Sequence, residues 1–174
     1  MKIPEKIETN RITIRKFRAT DKNRFLEFMR DEVSTKYLMF TEDQKTEKGA
    51  SELFEFILNA YESETPIFSM AIETQEYGYV GSCGVSQIEG NIWECYYSLN
   101  REFLKKGFAT ESLKALIDYG FNELQIDELR AYMSPDNPDS SRVAERCGME
   151  HKGIQIHPIF KNEGKLYSIT ASKK

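Results

Sequence analysis

The stretch from Asn91 to Glu123 constrains the fold more than any other part of the sequence, because it predicts a strand, a glycine turn and a helix in direct succession. The predicted strand covers 91–99, the loop covers 100–110, and the helix begins at Glu111. The next predicted strand, 129–134, must then run parallel to the first. Apolar residues recur in the helix at intervals of three and four, which gives it one buried stripe. That stripe consists of Leu113, Leu116, Ile117, Gly120, Phe121 and Leu124.

The start of this helix has the chemistry of an anion site. Gly107 permits a backbone turn that a residue with a Cβ would resist, and the amides of residues 106–110 have no carbonyl within the helix to bind. Such amides attract anions, and a phosphate fits well. Arg101, Lys105 and Lys106 add positive charge here, although the chain as a whole carries a net charge of −4. An ordinary strand-to-helix turn with solvated lysines would contain the same residues, so both interpretations stay open at this point.

Composition limits the class of protein. With 174 residues, 40% of them apolar and 30% charged, the chain is expected to form a single globular domain spanning 1–174. The acidic balance, with no basic stripe outside the loop above, argues against nucleic acid as a partner. No apolar run is long enough for a signal peptide or a membrane span. We therefore expect no membrane association and a cytoplasmic location.

The cysteines and histidines predict neither a disulfide nor a metal site. Cys83, Cys95 and Cys147 are odd in number and form no CxxC pair, which is typical of reduced thiols. His151 and His157 are the only histidines, and on one extended strand they would be about 20 Å apart. Two ligands at that separation cannot share a metal ion, so no metal is predicted.

The elements before the central stretch follow from alternation, periodicity and turn residues. A strand is predicted at 11–17, a helix after Thr20 or Asp21, and a second helix that opens at Thr46. The segment 31–43 between the two helices is expected to be a loop with partial helix. Three consecutive strands with short turns then predict an antiparallel meander. They cover 67–74, 79–88 and 92–99.

The C-terminal part predicts a short helix and a hairpin. Asn137 or Asp136 stands at the N-cap of a helix over 138–147. Strand-like stretches joined by a Lys-Asn-Glu-Gly turn complete the chain, at 153–160 and 166–171. The predicted fold class is therefore α+β, with a mixed, mostly antiparallel central sheet and helices on both faces.

Two motifs resemble those of the GNAT N-acetyltransferases. Lys-Lys-Gly-Phe-Ala-Thr-Glu at 105–111 is similar to the loop with which that family binds the pyrophosphate of acetyl-CoA. Asn-Pro-Asp-Ser at 137–140, followed by Cys-Gly-Met at 147–149, is similar to the family's Asn-x-x-Ser…Gly-Phe segment. The nearest branch in appearance is that of the ribosomal-protein N-terminal acetyltransferases. The chain departs from the pattern of that branch at Leu104, Lys105, Ser112 and Met149.

The resemblance implies the GNAT fold, in which two parallel central strands, the fourth and fifth, splay apart and the pantetheine arm lies in the gap. It also implies acetyl-CoA as the acyl donor, and no metal. The residues that match cofactor-binding positions come from the end of the strand, the loop and the second motif. They are Tyr97, Ser98, Leu99, Lys105, Lys106, Gly107, Phe108, Ala109, Thr110, Asn137, Ser140 and Arg142.

Acetyl transfer to an amine needs a base, a donor for the developing oxyanion and, in some enzymes, an acid for the leaving thiolate. Glu94 is the candidate base, because a carboxylate among covered strand neighbours is costly unless it is paired or functional. It also matches the Glu of many relatives; an exposed Glu, or a structural bridge to Arg130, is the alternative. Ser140 matches the serine of the branch and is the candidate acid, with Ser141, water or no acid as alternatives. The Tyr that many members carry is Ala144 here.

The resemblance implies an acetyl-CoA-dependent N-acetyltransferase that works by direct attack, without a covalent enzyme intermediate. A protein N-terminal amine, as in ribosomal proteins, is the expected acceptor, and a small amine such as a polyamine or aminoglycoside is the alternative. A non-catalytic CoA-binding module is a further alternative, and relatives often form homodimers. Acidic residues in the N-terminal region would attract an ammonium group, although such a run is also typical of a solvated helix face. They are Asp31, Glu32, Glu42, Asp43, Glu47, Glu52, Glu55, Glu62 and Glu64.

Overall fold

A computed structural model describes residues 3–171, which form one eight-stranded sheet with helices on both faces. The strands are β1 (Lys6–Glu8), β2 (Ile12–Arg15), β3 (Phe68–Thr74), β4 (Gly78–Glu89), β5 (Ile92–Leu99), β6 (Glu128–Met133), β7 (Glu150–Ile156) and β8 (Glu163–Thr170). The helices are α1 (Lys22–Arg30), α2 (Glu32–Thr35), α3 (Glu47–Ala60), α4 (Phe108–Asn122) and α5 (Pro138–Arg146). The mixed α+β class predicted from the sequence is confirmed.

The order of the strands places a parallel pair inside the sheet. The order is β1–β2–β3–β4–β5–β6–β8–β7, and within residues 3–171 every neighbouring pair except β5 and β6 is antiparallel. The parallel ladder pairs Ile92–Glu94 with Glu128–Arg130 and then stops, although β5 continues to Leu99 and β6 to Met133. The expected splay between two parallel strands is confirmed; they are the fifth and sixth here because β1 precedes the predicted strands.

Alternate residues of β3 join two apolar clusters on opposite faces of the sheet. Phe68, Met70 and Ile72 belong to the larger cluster, which includes the buried stripe of α4. Ala71 belongs to the smaller cluster, which includes Phe54 of α3. Since successive side chains of a strand point to opposite faces, the period of two in β3 lets one strand serve both cores.

Side-chain caps fix the starts of two helices where the sequence predicts them. The hydroxyl of Thr46 accepts a hydrogen bond from the Gly49 amide at 3.0 Å, and the side chain of Asn137 accepts one from the Ser140 amide at 3.2 Å. Each bond satisfies an amide that has no partner within its own helix. The prediction that α3 opens at Thr46 is confirmed, and of the two N-cap candidates for α5, Asn137 and Asp136, the cap is Asn137.

One strand and several boundaries differ from the predictions; the strand predicted at 153–160, for example, is β7 and covers Glu150–Ile156. Strand β1 was not predicted, because its three residues are too few to show alternation. Helix α4 begins at Phe108 and not at Glu111, because the helical backbone starts directly after the left-handed Gly107. The β7–β8 turn covers 157–162, so two residues of the predicted Lys-Asn-Glu-Gly turn belong to β8.

The described helices are too short to cross a membrane. The longest of them, α4, has 15 residues. Within residues 3–171, no helix has both the length and the hydropathy that a membrane crossing requires.

Candidate active site

The site lies at the carboxyl ends of β5 and β6, beyond the point where their ladder stops. Helix α4 follows β5 and helix α5 follows β6, so the amino ends of both helices lie at this end of the sheet. Ligands of sheets with parallel strands usually bind at such carboxyl ends. Most of the residues predicted to bind the cofactor come from these three segments: the end of β5, the loop before α4 and the first turns of α5.

The amino end of α4 presents backbone amides that no side chain caps. Gly107 is the N-cap residue, with a φ of +85°, and makes no side-chain cap hydrogen bond. Lys105, two residues earlier, also has a positive φ of +60°. Because the first amides of a helix have no partner within it, those after Gly107 remain available to an anion.

Two exposed lysines leave positive charge beside these amides. Lys105 and Lys106 are both exposed, and Lys106 Nζ lies 5.4 Å from the centroid of the Tyr77 ring. Arg101 is partly neutralised, because its Nη1 lies 3.6 Å from Asp31 Oδ1. The amides and the lysines together suit a pyrophosphate, which carries several negative oxygens.

Arg11, in the turn between β1 and β2, ties the first turn of α4 to the sheet. Its Nη1 donates to the carbonyl oxygen of Lys106 at 2.9 Å, and its Nε donates to Oε2 of Glu111 at 2.8 Å. The Arg11 amide and the Thr9 hydroxyl donate to Oε1 of Glu111 at 2.8 and 2.6 Å. Burial would raise the pKa of Glu111, but these hydrogen bonds outweigh it and hold the pKa below its ordinary value. Sequence reasoning missed Arg11, because the pattern there shows only the start of a strand.

A tyrosine joins the two sides of the gap between β5 and β6. The hydroxyl of Tyr97, on β5, lies 3.0 Å from the Ser140 carbonyl oxygen and 3.0 Å from Ser140 Oγ, in α5. Burial raises the pKa of Tyr97, so its hydroxyl is protonated at neutral pH and can donate. Asn137 contacts the same turn through its cap bond to the Ser140 amide. The structure therefore brings together Tyr97, Asn137 and Ser140.

The other residues predicted to bind the cofactor fall into two groups: side chains that are bonded to another residue, and side chains that are buried or half-buried. Ser98 Oγ lies 3.2 Å from Ser82 Oγ on β4, and Arg142 forms an ion pair with Asp139. Leu99 and Phe108 are buried in the larger core. Ala109 and Thr110 lie half-buried in the first turn of α4. Several of these residues can therefore contribute backbone groups more readily than side chains.

Glu94 lies at the last pair of the parallel ladder and faces a cleft of about 260 Å³. The lining combines charged, aromatic and sulfur-containing side chains from four parts of the chain. It consists of Lys36, Tyr37, Leu38, Met39, Glu94, Tyr132, Met133, Ser134, His157, Phe160, Asn162, Glu163 and Gly164. The side chain of Glu94 is 18% exposed, so it is largely desolvated yet still open to the cleft.

His157 contacts Glu94 directly, across 63 residues of sequence. Its Nε2 lies 2.9 Å from Oε2 of Glu94, and the imidazole is buried, with 4% of the side chain exposed. Sequence reasoning considered His157 only as a metal ligand and missed this contact. No local pattern could have revealed it, because β7 and β5 lie three strands apart in the sheet.

The contacts of Arg130 and Ser141 bear on two alternatives for this site. Arg130 Nε donates to Glu128 Oε1 at 2.8 Å, so it forms its bridge with Glu128 and not with Glu94. Ser141 is buried, and its hydroxyl lies 3.5 Å from Met133 Sδ and 3.5 Å from the carbonyl oxygen of Asn137. Ser141 therefore faces the core, whereas Ser140 lies beside the gap.

The acidic residues of the N-terminal region do not line this cleft. Six of the nine lie within 4.0 Å of a lysine or arginine nitrogen, which neutralises much of their charge. The pairs are Asp31–Arg101, Glu42–Lys45, Glu47–Arg30, Glu52–Lys48, Glu55–Lys22 and Glu62–Lys16. The segment of this region that does reach the cleft is Lys36–Met39.

The three cysteines are free thiols that the fold covers wholly or in part. Cys83 and Cys95 carry buried free thiols, and Cys147 carries a half-buried one. Burial raises the pKa of each thiol, to about 11 for Cys147. Among the residues that the structure describes, no group of three or more His, Cys, Asp or Glu side chains is placed to hold a metal ion.

Comparisons with known proteins agree with this geometry. The uncharacterized N-acetyltransferase p20 of Bacillus licheniformis is 29% identical over 169 residues, which cover 95% of this chain and 93% of that protein. A structure from Vibrio cholerae, provisionally described as a ribosomal-protein-serine acetyltransferase, has a TM-score of 0.78 at 18% identity and covers 98% of this chain and 100% of that one. Spermidine N-acetyltransferase from Vibrio cholerae, in complex with CoA and spermine, has a TM-score of 0.74 at 19% identity and covers 93% of this chain and 96% of that one. At these identities the two structures show a shared fold.

The family model described as "Acetyltransferase (GNAT) domain" matches residues 11–150. This range contains the splayed strands, the amino end of α4, Glu94 and the first turns of α5. The protein belongs to the GNAT acetyltransferase family and is an N-acetyltransferase.

Proposed function

We propose that this enzyme transfers the acetyl group of acetyl-CoA to the N-terminal amine of a peptide or protein, with Glu94 as the general base. The observation that carries the proposal is the position of Glu94, a largely desolvated carboxylate that faces a cleft at the last pair of the parallel ladder. Because the ladder ends at Glu94, the gap between β5 and β6 begins beside this residue, and its side chain lines the cleft. Since only the neutral amine attacks, a carboxylate that removes the ammonium proton meets the first need of the reaction.

The chain provides fitting contacts for acetyl-CoA, which supplies the acetyl group as a thioester. The amides after Gly107, together with Lys105 and Lys106, suit the pyrophosphate. The end of β5 and the first turns of α5 flank the gap that suits the pantetheine arm. The residues proposed to bind there are Tyr97, Ser98, Leu99, Phe108, Ala109, Thr110, Asn137, Ser140 and Arg142.

Ser140 is the proposed proton donor to the leaving thiolate. Its hydroxyl lies beside the gap and 3.0 Å from the Tyr97 hydroxyl, and either oxygen can be the donor of that hydrogen bond. Ser141 is disfavoured because its hydroxyl faces the core. Positioning of the two substrates supplies most of the acceleration in a direct attack without a covalent intermediate.

The rim of the cleft supports a peptide as the acceptor. Met39 is 57% exposed and Phe160 is 53% exposed, and both line the cleft around Glu94. These side chains would cover an apolar residue next to a peptide's N-terminal ammonium group. A peptide acceptor also fits the sequence resemblance to the ribosomal-protein N-terminal acetyltransferases.

A polyamine is the second candidate, because the cleft contains a second carboxylate. Glu163 lines the cleft together with Glu94, and two carboxylates can bind two ammonium groups of one molecule. Lys36 in the same lining opposes this arrangement by repulsion. The likeness to the spermidine enzyme of Vibrio cholerae supports testing it.

The acceptor is tested by measuring CoA release with a panel of N-terminal peptides, spermidine and aminoglycosides. Phe160→Ser should raise the KM for a peptide with an apolar second residue several-fold, while Glu163→Gln should leave that KM nearly unchanged. Ile154→Ser is the matched control, because Ile154 is 50% exposed on the same hairpin and does not line the cleft. If spermidine is the one substrate that releases CoA, and Glu163→Gln abolishes that release, the acceptor is a polyamine and not a peptide.

The base is tested with Glu94→Gln, which keeps the size of the side chain and an oxygen that can accept from His157. We expect kcat to fall by roughly 10²- to 10⁴-fold, as for the loss of a general base, with the affinity for acetyl-CoA nearly unchanged. Glu89→Gln, at the exposed end of β4, is the control. Full activity of Glu94→Gln would remove Glu94 as the base.

Two further parts of the proposal concern the location and the assembly of the protein. A cytoplasmic location fits the three free thiols, because thiols stay reduced there. A homodimer is proposed because relatives often dimerise, and analytical ultracentrifugation tests it directly.

A further inference from the structure

We propose that His157 is a positioning residue of this enzyme, which holds the Glu94 carboxylate in place by donating its Nε2–H to Oε2. The inference rests on the proposed role of Glu94 as the base. His157 Nε2 and Glu94 Oε2 are 2.9 Å apart, within the range of a good hydrogen bond. The direction of that bond follows from what the other ring nitrogen contacts.

The second nitrogen, Nδ1, accepts two hydrogen bonds from the backbone. The amides of Ile159 and Phe160 both donate to it, each at 3.1 Å. A nitrogen that accepts from N–H groups cannot itself carry a hydrogen, so the imidazole has its only N–H at Nε2. The ring is therefore a neutral donor toward Glu94, and it cannot take a proton from that carboxylate at Nε2. This excludes a relay in which His157 is the base behind Glu94.

The loop around His157 keeps the ring in one orientation. The His157 amide donates to the Asn162 carbonyl oxygen at 2.8 Å, and the Lys161 amide donates to the His157 carbonyl oxygen at 3.0 Å. The Tyr132 ring lies 4.5 Å from the imidazole, and the Phe160 ring lies 4.7 Å from it, between centroids. With both nitrogens bonded and two rings in contact, the imidazole has little freedom to rotate.

The result is a carboxylate with one oxygen fixed and one oxygen left for the substrate. Oε2 of Glu94 binds His157, while Oε1 makes no hydrogen bond to another residue within 3–171. A base works best when its geometry toward the incoming proton is held before the substrate arrives. His157 supplies that constraint from the β7–β8 turn, a segment that also contributes Phe160 to the rim of the cleft.

Two substitutions test the roles of the two imidazole nitrogens separately. His157→Asn keeps an oxygen that can accept from the amides two and three residues ahead, as asparagine does in turns, but its amide group does not reach Glu94. His157→Gln places an NH₂ group near the position of Nε2, where it can donate to Glu94, but it loses the acceptor that holds the loop. The two variants therefore keep opposite halves of the network.

We expect kcat and thermal stability to rank the variants in opposite orders. His157→Asn should keep a melting temperature near that of the wild type and lose about 10- to 100-fold in kcat. His157→Gln should melt lower than His157→Asn but retain the larger kcat, and neither should change the KM for acetyl-CoA. If the variant with the lower melting temperature also has the lower kcat, His157 has only a structural role and the inference is wrong.

A double-mutant cycle separates this inference from the proposed role of Glu94. If His157 acts through Glu94, His157→Asn should cost less than twofold in kcat in the Glu94→Gln background. A large loss in Glu94→Gln with none in His157→Asn overturns only the role of His157. No loss in Glu94→Gln overturns both the base and the inference. If His157→Asn lowers kcat as much in the Glu94→Gln background as in the wild type, the inference is also overturned, because His157 then acts independently of Glu94.

The tautomer gives a readout that needs no substrate. The chain has two histidines, so a ¹⁵N spectrum of the imidazoles contains two ring systems, and His157→Asn identifies the signals of His151. At neutral pH we expect His157 to show a hydrogen on Nε2 and none on Nδ1. A hydrogen on Nδ1 would overturn the inference, because the bonds from Ile159 and Phe160 could not then form.

Discussion

Contacts between residues that are distant in sequence hold both the Glu94 carboxylate and the first turn of α4. Glu94 and His157 are 63 residues apart in sequence, and Arg11 and Glu111 are 100 apart. The residue type alone marks Glu94 as unusual, because a carboxylate within an aromatic strand is costly. Nothing near His157 or Arg11 in sequence indicates a partner, since both pairs form only when strands or helices meet in the folded sheet. The sequence therefore predicts the carboxylate and the loop, but not the residues that hold them.

The depressed pKa of Glu111 makes part of the stability dependent on pH. A carboxyl group whose pKa is lower in the folded state stabilises the fold above its unfolded pKa, and this stabilisation is lost as the pH falls through the folded pKa. We expect Glu111→Gln to lower the melting temperature at pH 7, and the difference from the wild type to shrink as the pH falls from about 5 to 3.

Thermal unfolding followed by circular dichroism at several pH values measures this difference. Glu8→Gln is the control, because Glu8 is exposed and its one ion pair within residues 3–171 is with Lys6 at the surface. A constant difference between Glu111→Gln and the wild type over that range would contradict the prediction.

Burial should also protect the thiols from modification. Cys83 and Cys95 are buried, and burial raises the pKa of Cys147 to about 11, so little thiolate is present at pH 8. We expect Ellman's reagent to label Cys147 slowly in the folded protein, and all three cysteines rapidly in denaturant. Rapid labelling of a second thiol in the folded protein would contradict the burial of Cys83 or Cys95.

At the scale of elements, helices were predictable where the apolar periodicity and an N-cap residue indicate the same start. Thr46 and Asn137 mark helix starts because their side chains bind amides. The start of α4 has no such side chain, so periodicity alone placed it at Glu111, three residues late. The β7–β8 turn was misplaced because Glu163 and Gly164 resemble turn residues, yet they pair with Ile156 and Gln155 in the ladder.

The left-handed backbone at Gly107 should be needed for cofactor binding. An alanine there adds about 1–2 kcal/mol of backbone strain, and its Cβ would lie 3.1 Å from Arg11 Nη2. We expect Gly107→Ala to weaken CoA binding at least tenfold in calorimetry, because both the amides and their support by Arg11 shift.

The matched control is Gly90→Ala, in the β4–β5 turn at the opposite end of β5. Gly90 also has a positive φ, of +54°, but nothing lies within 4 Å of its added Cβ. It should lose similar stability without losing affinity for CoA. Equal loss of CoA affinity in the two variants would show that strain alone, and not the site, accounts for the effect.

At the scale of the whole molecule, one sheet connects two cores. The larger cluster packs α4 against one face, the smaller packs α1 and α3 against the other, and β3 contributes to both. The α+β class and the parallel pair followed from the order of predicted elements. The full strand order did not, because β1 and the return of β8 between β6 and β7 depend on pairing between distant segments.

We expect the chain to unfold as a single domain, because the two cores share their central strand. The one tryptophan, Trp93, packs against the larger cluster, whereas circular dichroism reports on all elements. Denaturant curves from the two signals should coincide. Two separate transitions would indicate that the N-terminal helices fold independently and that the chain is not one domain.

The early stop of the β5–β6 ladder after Glu94 and Arg130 gives this sheet an edge in its interior. Past that pair, β5 keeps β4 on one side, while its other side presents backbone N–H and C=O groups that require partners. An outer edge of this kind invites pairing with strands of other molecules. Here β6, held by β8 along its whole length, blocks the approach of a second strand. The interior edge is therefore shielded from strands of other molecules, and its free backbone groups remain available to a ligand without the aggregation risk of an outer edge.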